Sequence, residues 1–488
     1  MFLRQFLFIC TLSCLRTVRA GPNITSLLAA VKWSSPETSV AYPTSEDFLN
    51  ATERWTTFEA PTYVAAITPG DEADVINAVL FARSNDYPFL ATGGHHGFGI
   101  TYGELVNGLA IDLSRLNQVQ VDISEKTLTI GGGVLTRQIF DSVYNAGFEI
   151  QTGSCDCPGM IGATLGAGIG RHQGLHGLLI DALLSARMVT ADGRVVNVSK
   201  DSQPDLLWAV KGAGANFGII TSATYSVAPL INDGLALSGD FAFPASKSRD
   251  YFDAMQKLGE TMPAELSVIT LITYDNNTSQ PQILANWVYV GPEEQGREVL
   301  EPIISLGPSV ANLTMIPWNN LVAEAGFGLD AAFCVAGATR STYSATTRNL
   351  SASTWQSILE NMTTYYEETP DGRSSSVEIE VFARQAVLEI PDDDTAYPWR
   401  DARGHIMFQF TWEDDSTAAS SNELGRELRD ATAAVGGYDG LAVYVSYAHG
   451  DETLEEIYGA NKLERLLSLK EIWDPENVFR YNNALLRY

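Results

Sequence analysis

The sequence is poor in cysteine, in basic residues and in long apolar runs. It holds 5 cysteines, and 31 lysines and arginines stand against 59 aspartates and glutamates, for a formal net charge of −28. A surface this acidic repels nucleic-acid phosphate and anionic lipid, so we expect neither as a partner. So few cysteines exclude a disulfide-rich scaffold. No apolar run beyond the first 20 residues is long enough to cross a membrane.

Residues 1–20 have the features of a secretory signal peptide. Arg4 gives a short basic start, Phe6 to Leu15 form an apolar core, and Val18 to Ala20 fit a small-residue cleavage site. Sequons for N-glycosylation begin at Asn23, Asn50, Asn197, Asn277, Asn312, Asn349 and Asn361. The sequence therefore predicts a secreted glycoprotein that starts at Gly21.

The cysteines outside this leader are Cys155, Cys157 and Cys334. Cys155 and Cys157 are too close in sequence for an easy bridge in an extended loop. Cys334 lies in a small apolar stretch and is predicted to be a buried apolar residue.

Two glycine-flanked segments carry the strongest functional signal, Thr92 to Gly99 and Gly153 to Gly159. Their glycines let backbone N–H groups approach a ligand closely, and each segment carries a nucleophile, His95 or Cys155. Further glycines follow between residues 131 and 170. The pattern predicts one large diphosphate cofactor, cradled by the backbone and open to covalent attachment.

Simpler interpretations of these residues stand beside that prediction. A histidine in a loop is commonly solvated or hydrogen-bonded, and a Cys-x-Cys pair can be structural or can bind metal. His172 and His176 are four residues apart but lack a third ligand, so we expect no metal site. A thiolate near glycine-loop N–H groups would be stabilised and nucleophilic, which suits cofactor attachment by a cysteine. Spacing alone favours Cys155 over Cys157.

The spacing of apolar residues predicts two regions that differ in secondary structure. Strands and helices alternate from Tyr63 to Ala146, with glycine loops at strand ends, which is typical of an α/β ligand-binding unit. The stretch before it, residues 21–56, has no clear periodicity. Beyond Pro229, predicted strands are antiparallel in character and a helix covers them. These strands and that helix are Leu266–Tyr274, Gln282–Val290, Val377–Phe382, Gly404–Trp412 and Ser353–Glu367. The fold class is α+β.

Five ordered motifs resemble the vanillyl-alcohol oxidase superfamily, with its PCMH-type FAD-binding domain, and its berberine-bridge-enzyme-like branch in particular. They are Gly93-Gly94-His95, the Cys155 segment with its downstream glycines, Gly177 to Gly193, Asp205 to Thr221, and Asp474 to Asn482. The resemblance, which includes secreted fungal relatives, covers about residues 61–488. Pro158 and Ser446 depart from the family pattern, which has Val and Asn there, and Pro158 would bear on oxygen access.

The resemblance implies a bipartite FAD-binding domain and a separate substrate domain. The implied segments are a signal peptide (1–20), an N-terminal FAD-binding part (21–229), a substrate domain (230–440) and a returning C-terminal segment (441–488). It implies FAD bonded to both His95 and Cys155. The other implied cofactor-binding residues are Gly93, Gly94, Gly97, Gly159, Gly162, Gly166, Gly168, Gly170, Ile219 and Asn482.

The catalytic base is more weakly encoded. Candidates are Tyr444, Tyr447, Gln409 and Glu380, although each could equally serve packing or cross-strand hydrogen bonding. If residues 444–447 form a regular strand, Tyr444 and Ser446 share a face and Tyr447 points away. On that premise Tyr444 is the predicted base, with Tyr447 acting on stability.

The function that follows is a secreted, monomeric FAD-dependent oxidase. It would move hydride from a hydroxyl or activated C–H group of a small molecule to FAD, then to oxygen, giving peroxide. The alternatives are a dehydrogenase with another acceptor, a tailoring enzyme of fungal secondary metabolism, and a redox-inactive flavin-binding protein.

Overall fold

The computed structural model describes residues 23–486, so the predicted signal peptide lies outside the described residues. Residues 23–32 form one compact unit and residues 33–486 another. The first unit holds helix α1 (Ile24–Ala29), whose N-terminus is capped by the Asn23 side chain. No helix within residues 23–486 has the length and apolarity needed to cross a membrane.

The strands of the second unit fall into sheets that differ in pairing. They are β1 (Ser39–Ala41), β2 (Tyr63–Thr68), β3 (Phe89–Thr92), β4 (Gly108–Asp112), β5 (Val119–Asp122), β6 (Thr127–Gly131), β7 (Phe148–Glu149), β8 (Leu183–Val189), β9 (Val195–Ser199), β10 (Ile219–Ser226), β11 (Ala228–Pro229), β12 (Leu235–Pro244), β13 (Leu266–Asp275), β14 (Gln280–Tyr289), β15 (Val310–Pro317), β16 (Thr339–Thr347), β17 (Ser376–Phe382) and β18 (Gly404–Trp412).

Helices cover these sheets and connect their strands. They are α2 (Glu46–Thr52), α3 (Glu72–Ser84), α4 (Phe140–Asn145), α5 (Met160–Gly166), α6 (Gln173–His176), α7 (Leu179–Ala182), α8 (Pro204–Ala213), α9 (Ser248–Glu260), α10 (Glu293–Ile304), α11 (Trp318–Glu324), α12 (Asp330–Phe333), α13 (Ala352–Glu368), α14 (Gln385–Glu389), α15 (Ala418–Ala433), α16 (Leu454–Tyr458) and α17 (Ala460–Trp473). Short 3-10 helices lie between several of them.

The first sheet has the order β1-β2-β4-β3, and β4 pairs in parallel with both of its neighbours. Thr92 and Asp112 face each other at the carboxyl ends of β3 and β4. The chain leaves β3 directly into the loop that carries His95. The ligand-binding edge predicted from strand–helix alternation is therefore present, because parallel neighbours end at the same edge of a sheet.

Antiparallel pairing governs the two larger sheets. One has the order β5-β6-β10-β8-β9 and the other β15-β12-β14-β13-β17-β18-β16. The predicted hairpin of β13 and β14 is confirmed, with Asp275 paired to Gln280 at its turn. Helices α9 and α13 bury one face of the seven-stranded sheet in an apolar core. The predicted α+β class is confirmed.

Alternation along β17 places unlike side chains on its two faces. Val377, Ile379 and Val381 point into the core under α13. The side chains of Glu378 and Glu380 therefore lie on the opposite face, because successive strand residues alternate. Two carboxyl groups are thus presented together on the face that does not pack on helices.

The C-terminal segment packs with the N-terminal half of the chain. Ile457, Tyr458, Leu466 and Leu469 share a core with residues of α5 and α8. The fully buried Lys470 donates hydrogen bonds to the Asp474 carboxylate and to the backbone oxygens of Asn216 and Phe479. A buried charge is retained only with such partners, so Lys470 fixes the chain that follows α17.

Candidate active site

A cavity of about 410 Å³ lies within residues 33–486. Both glycine-flanked loops border it, together with the free face of the seven-stranded sheet and the segment after α17. The predicted cofactor residues that line it are His95, Cys155, Gly93, Gly94, Gly97, Gly159, Gly162, Gly168, Ile219 and Asn482. The predicted catalytic residues that line it are Tyr444, Tyr447 and Gln409.

Gly166 and Gly170 are outside the lining of this cavity. A Cβ on Gly166 would lie 2.2 Å from the Ser446 hydroxyl, and one on Gly170 would lie 2.1 Å from the Thr152 carbonyl. Close packing against neighbouring residues therefore explains both glycines, and the prediction that they contact the cofactor is not supported by their position.

The two loops touch through their backbones. A Cβ on Gly94 would lie 2.2 Å from the Gly159 nitrogen, far inside van der Waals contact. Beside this contact, His96 Nε2 lies 3.1 Å from Cys157 Sγ. Only glycine permits such an approach of two chains. His95 and Cys155, which are 60 residues apart in sequence, therefore border one cavity.

His95 is held in a specific orientation at the carboxyl ends of β3 and β4. Its backbone has a φ of 55°, in the left-handed region that non-glycine residues rarely adopt. Its Nδ1 lies 2.9 Å from the Glu53 carbonyl and its Nε2 lies 3.6 Å from Asp112 Oδ1. Ser114 donates to the same Asp112 carboxylate. The imidazole is thus placed between two acceptors.

The cysteine predictions need two corrections. Cys334 is not an isolated apolar residue, because it forms a disulfide with Cys157, 177 positions away in sequence. Cys155 is the free cysteine of residues 23–486. Burial, and next the charge of Asp330, raise the pKa of the Cys155 thiol, so the expected stabilised thiolate is wrong for this environment.

The premise used to choose between the two tyrosines is also wrong. Val445–Tyr447 form a 3-10 helix, with Tyr447 N donating to the Tyr444 carbonyl, so the period-two alternation of a strand does not apply. Both rings border the cavity, with centroids 4.9 Å apart. The Tyr444 hydroxyl accepts from Gly168 N, whereas the Tyr447 hydroxyl donates to Glu380 Oε2 at 3.1 Å.

Glu380 lies behind Tyr447 rather than at the cavity surface. Its other oxygen accepts from the Ser154 hydroxyl at 2.9 Å, so the loop that carries Cys155 also holds this carboxyl. Burial raises the pKa of Glu380 to about 7, against the opposing effect of these two hydrogen bonds. Burial and the neighbouring Glu380 charge raise the pKa of Glu378, which borders the cavity.

Several residues of the site are absent from the sequence-based predictions. Arg171 borders the cavity, and its buried Nε and Nη1 have no hydrogen-bond partner in the described residues. Arg54 donates to the Gly97 carbonyl at 2.6 Å and stacks on Tyr102. Arg54 comes from the stretch without periodicity, so no sequence pattern indicated it. The alternation that placed Glu380 on one strand face could have identified Glu378.

Comparison with known proteins decides the family. Residues 64–199 match the model of an FAD binding domain, and residues 443–485 match the model described as berberine and berberine like. The FAD-linked oxidoreductase fogF of Aspergillus ruber is 45% identical over 489 residues, which cover 99% of this chain and 98% of that relative. The chain belongs to the FAD-linked oxidoreductases of the berberine-bridge-enzyme-like branch.

Other similarities agree with this family. The FAD-linked oxidoreductase OXR1 of Pyricularia oryzae is 44% identical, covering 92% of this chain and 89% of the relative. The structure of Physcomitrella patens BBE-like 1 superposes with a TM-score of 0.82 at 21% identity, covering 96% of this chain and 100% of the other. Because its relatives are FAD-linked oxidoreductases, the protein is an oxidoreductase. This finding argues against the alternative of a redox-inactive flavin-binding protein.

The cavity has two features that suit the binding of FAD, namely open space and buried polar atoms that lack partners. Apart from its chain neighbours and, for Gly162, its own helix backbone, a Cβ on Gly153 or Gly162 would meet no protein atom within 4 Å, so both glycines leave space along the cavity wall. Buried polar atoms without a hydrogen-bond partner in residues 33–486, including Thr92 Oγ1 and Arg54 Nη1, belong to residues of this wall. The two glycine loops would hold the diphosphate through backbone N–H groups.

The open space at Gly162 gives a direct test of this fit. We expect Gly162→Val to lower the FAD content of the purified protein strongly, because the added methyl groups occupy space that the cofactor needs. The flavin-to-protein absorbance ratio measures this content. The variant should still fold, as far-ultraviolet circular dichroism would report, because no atom outside its own helix lies within 4 Å of the new Cβ.

Gly170→Ala is the matched control, since its Cβ would clash with the Thr152 carbonyl at 2.1 Å. That variant should lose thermal stability. Full FAD content in Gly162→Val would contradict the assignment of this wall to the cofactor.

Proposed function

We propose that this protein is a secreted FAD-dependent oxidase that acts on a hydroxyl or activated C–H group of a small molecule. The observation that carries the proposal is the Tyr447 hydroxyl, which borders the cavity and donates to the buried carboxylate of Glu380. A phenol backed by a carboxylate is a proton acceptor for a substrate hydroxyl. FAD, when bound, supplies the hydride acceptor and passes the electrons to oxygen, giving peroxide.

Tyr447 and Glu380 divide the proton transfer between them. Burial raises the pKa of Tyr447 well above its usual value, so its free phenolate is scarce at neutral pH. The substrate proton therefore moves to Tyr447 Oη as the phenol proton moves to Glu380 Oε2. Ser154 holds Glu380 from the other side. In this arrangement Tyr447 contacts the substrate, and Glu380 acts through Tyr447.

The cavity wall indicates the kind of substrate. Apolar side chains line part of it, among them Ile269, Leu271, Leu284 and Phe327, while Glu378 and Gln409 add polar groups. Such a wall fits an apolar molecule that carries a hydroxyl. A role as a tailoring enzyme of fungal secondary metabolism is compatible with this substrate class.

A dehydrogenase that uses another electron acceptor is the second candidate. Pro158 borders the cavity at a position next to the loop contact of Gly94 and Gly159. A rigid ring there would limit oxygen access. Comparing the rates at which oxygen and a soluble quinone reoxidise the reduced enzyme distinguishes the two candidates.

Export is supported by the surface of the chain. The sequon asparagines, from Asn23 to Asn361, are all exposed, as glycan attachment requires. We further propose that FAD is bonded to both His95 and Cys155, which border the same cavity. Two bonds would keep the cofactor from being lost outside the cell.

Attachment of FAD at two residues can be tested by whether the flavin stays with the precipitated protein. We expect wild-type protein to keep its flavin after acid precipitation, because a covalent bond survives unfolding. His95→Ala and Cys155→Ala should each retain one link, and the double variant should release FAD. Peptide mass mapping measures each link. Full release of FAD from precipitated wild-type protein would contradict the proposal.

Removing the hydroxyl of Tyr447 or of Tyr444 gives a matched pair of variants that tests the proton transfer. Tyr447→Phe should slow anaerobic flavin reduction by roughly 10²–10⁴-fold, because it removes the proton acceptor that contacts the substrate. Tyr444→Phe should slow it far less, because the Tyr444 hydroxyl accepts from Gly168 N. Stopped-flow absorbance measures both rates. A larger loss in Tyr444→Phe would return the catalytic role to that residue.

The ionisation of Glu380 determines how the rate of flavin reduction should depend on pH. Flavin reduction should become faster as pH rises through about 7, because Glu380 must be ionised to take the phenol proton and its pKa is raised to about 7. Glu380→Gln should be slow at every pH and should lack this step. A wild-type step that persists unchanged in Glu380→Gln would show that another group controls the rate.

A further inference from the structure

Cys155 lies in a cluster with the disulfide and one carboxyl group. Its Sγ is 3.3 Å from Cys157 Sγ and 3.7 Å from Cys334 Sγ. One ligand atom each of Cys155, Asp330 and Cys334 lie within 4.8 Å of one another. A nucleophile and a carboxylate are therefore close neighbours beside the cavity.

The chain around Asp330 is fixed at both of its ends relative to this cluster. Asp330 begins α12, and Cys334 follows that helix directly. The Phe333 carbonyl accepts from Trp55 Nε1 at 2.6 Å, and Asp330 Oδ1 accepts from Asp156 N at 3.2 Å. The disulfide joins α12 to the loop that carries Cys155, so it keeps Asp330 near the thiol.

We propose that Asp330 is the base that takes the Cys155 thiol proton when the sulfur bonds to flavin C6. We also propose that the Cys157–Cys334 disulfide selects Cys155 for this bond by engaging the alternative thiol and by holding Asp330 in place. The inference rests on the proposed double attachment of FAD. It adds the residues that make the second bond form.

Formation of the bond between sulfur and C6 is an oxidation, and dioxygen is the oxidant. The Cys155 sulfur forms its bond to C6 as its proton passes to Asp330. The isoalloxazine takes up the sulfur electron pair, and loss of the C6 hydrogen as a proton leaves a two-electron-reduced, sulfur-linked flavin. Dioxygen then accepts two electrons and two protons to give hydrogen peroxide, which restores the oxidised flavin.

The charges around Cys155 explain why a nearby base is needed. Burial and the Asp330 charge disfavour a free thiolate, so proton removal must accompany attack. Burial, with the nearby Asp156 charge, raises the pKa of Asp330 to about 6. Asp330 is then ionised at neutral pH and is a stronger base than an ordinary carboxylate.

The geometry leaves the disulfide intact while Cys155 reacts. Cys155 Sγ is nearly equidistant from the two bonded sulfurs, so it lies beside the S–S bond. Thiol–disulfide exchange proceeds by attack on one sulfur through a mixed disulfide. A thiol placed beside the bond is not aligned to displace either sulfur, so Cys155 remains free for the flavin.

The test measures the two flavin links separately by peptide mass mapping of the purified holoprotein. In Asp330→Asn, the fraction of Cys155-linked flavin should fall roughly tenfold or more, because a base is lost. The His95 link should remain, which also reports that the protein has folded. Glu324→Gln is the matched control and should keep both links, since Glu324 is an exposed carboxyl on α11 outside this cluster.

Cys334→Ser tests the selection. It frees Cys157, so flavin should then appear on Cys157 as well as on Cys155. A wild-type level of Cys155 link in Asp330→Asn would overturn the role of the base. Linkage confined to Cys155 at the wild-type level in Cys334→Ser would overturn the role of the disulfide. Wild-type protein without any Cys155 link would overturn the double attachment itself, and this inference with it.

Discussion

The backbone contact between Gly94 and Gly159 is the constraint on which the site depends. A Cβ at Gly94 would lie 2.2 Å from the Gly159 nitrogen, so any side chain there would push the two loops apart. The contact joins the loop after β3 to the loop before α5. It thereby brings His95 and Cys155 to one cavity, and it places Ser154 where its hydroxyl reaches Glu380. The cofactor wall and the proton-transfer pair are consequences of the same approach.

Two further connections fix this arrangement from outside. The Cys157–Cys334 disulfide ties α12 to the second loop, and Arg54 with Trp55 ties the first loop to the chain around Phe333. The last segment of the chain closes the cavity after α17, where the buried Lys470 holds it. Loops that bind cofactors must be positioned by a rigid scaffold. Here covalent, ionic and backbone links provide that rigidity.

Local patterns predicted a large part of the fold because they act over short distances. The strand–helix alternation predicted from Tyr63 is present, with α3 (Glu72–Ser84) between β2 and β3 and Asp71 as its N-cap. The strand predicted at Gly404–Trp412 is β18, and its alternation puts Ile406 and Phe408 in the core and Met407 and Gln409 at the cavity. The five ordered motifs indicate the berberine-bridge-enzyme-like branch, and the comparisons confirm it.

The remaining parts of the site depend on contacts that sequence patterns do not encode. The partners of the disulfide are 177 residues apart, and nothing in the apolar stretch around Cys334 indicates the pairing. The prediction gives Tyr444 and Tyr447 different roles on the premise of a strand. The local 3-10 helix instead brings both rings to the cavity. That Arg171 Nε and Nη1 are buried without a hydrogen-bond partner in the described residues follows only from the folded structure.

A crystal structure of the flavin-loaded protein tests the central claim most directly. The claim is that one cavity holds the isoalloxazine between the glycine loops and the Tyr447–Glu380 pair. The account predicts density that joins the ring to His95 and Cys155, with the Tyr447 hydroxyl facing the substrate side of the ring. An isoalloxazine bound away from Tyr447, or one without contact to either loop, would contradict it.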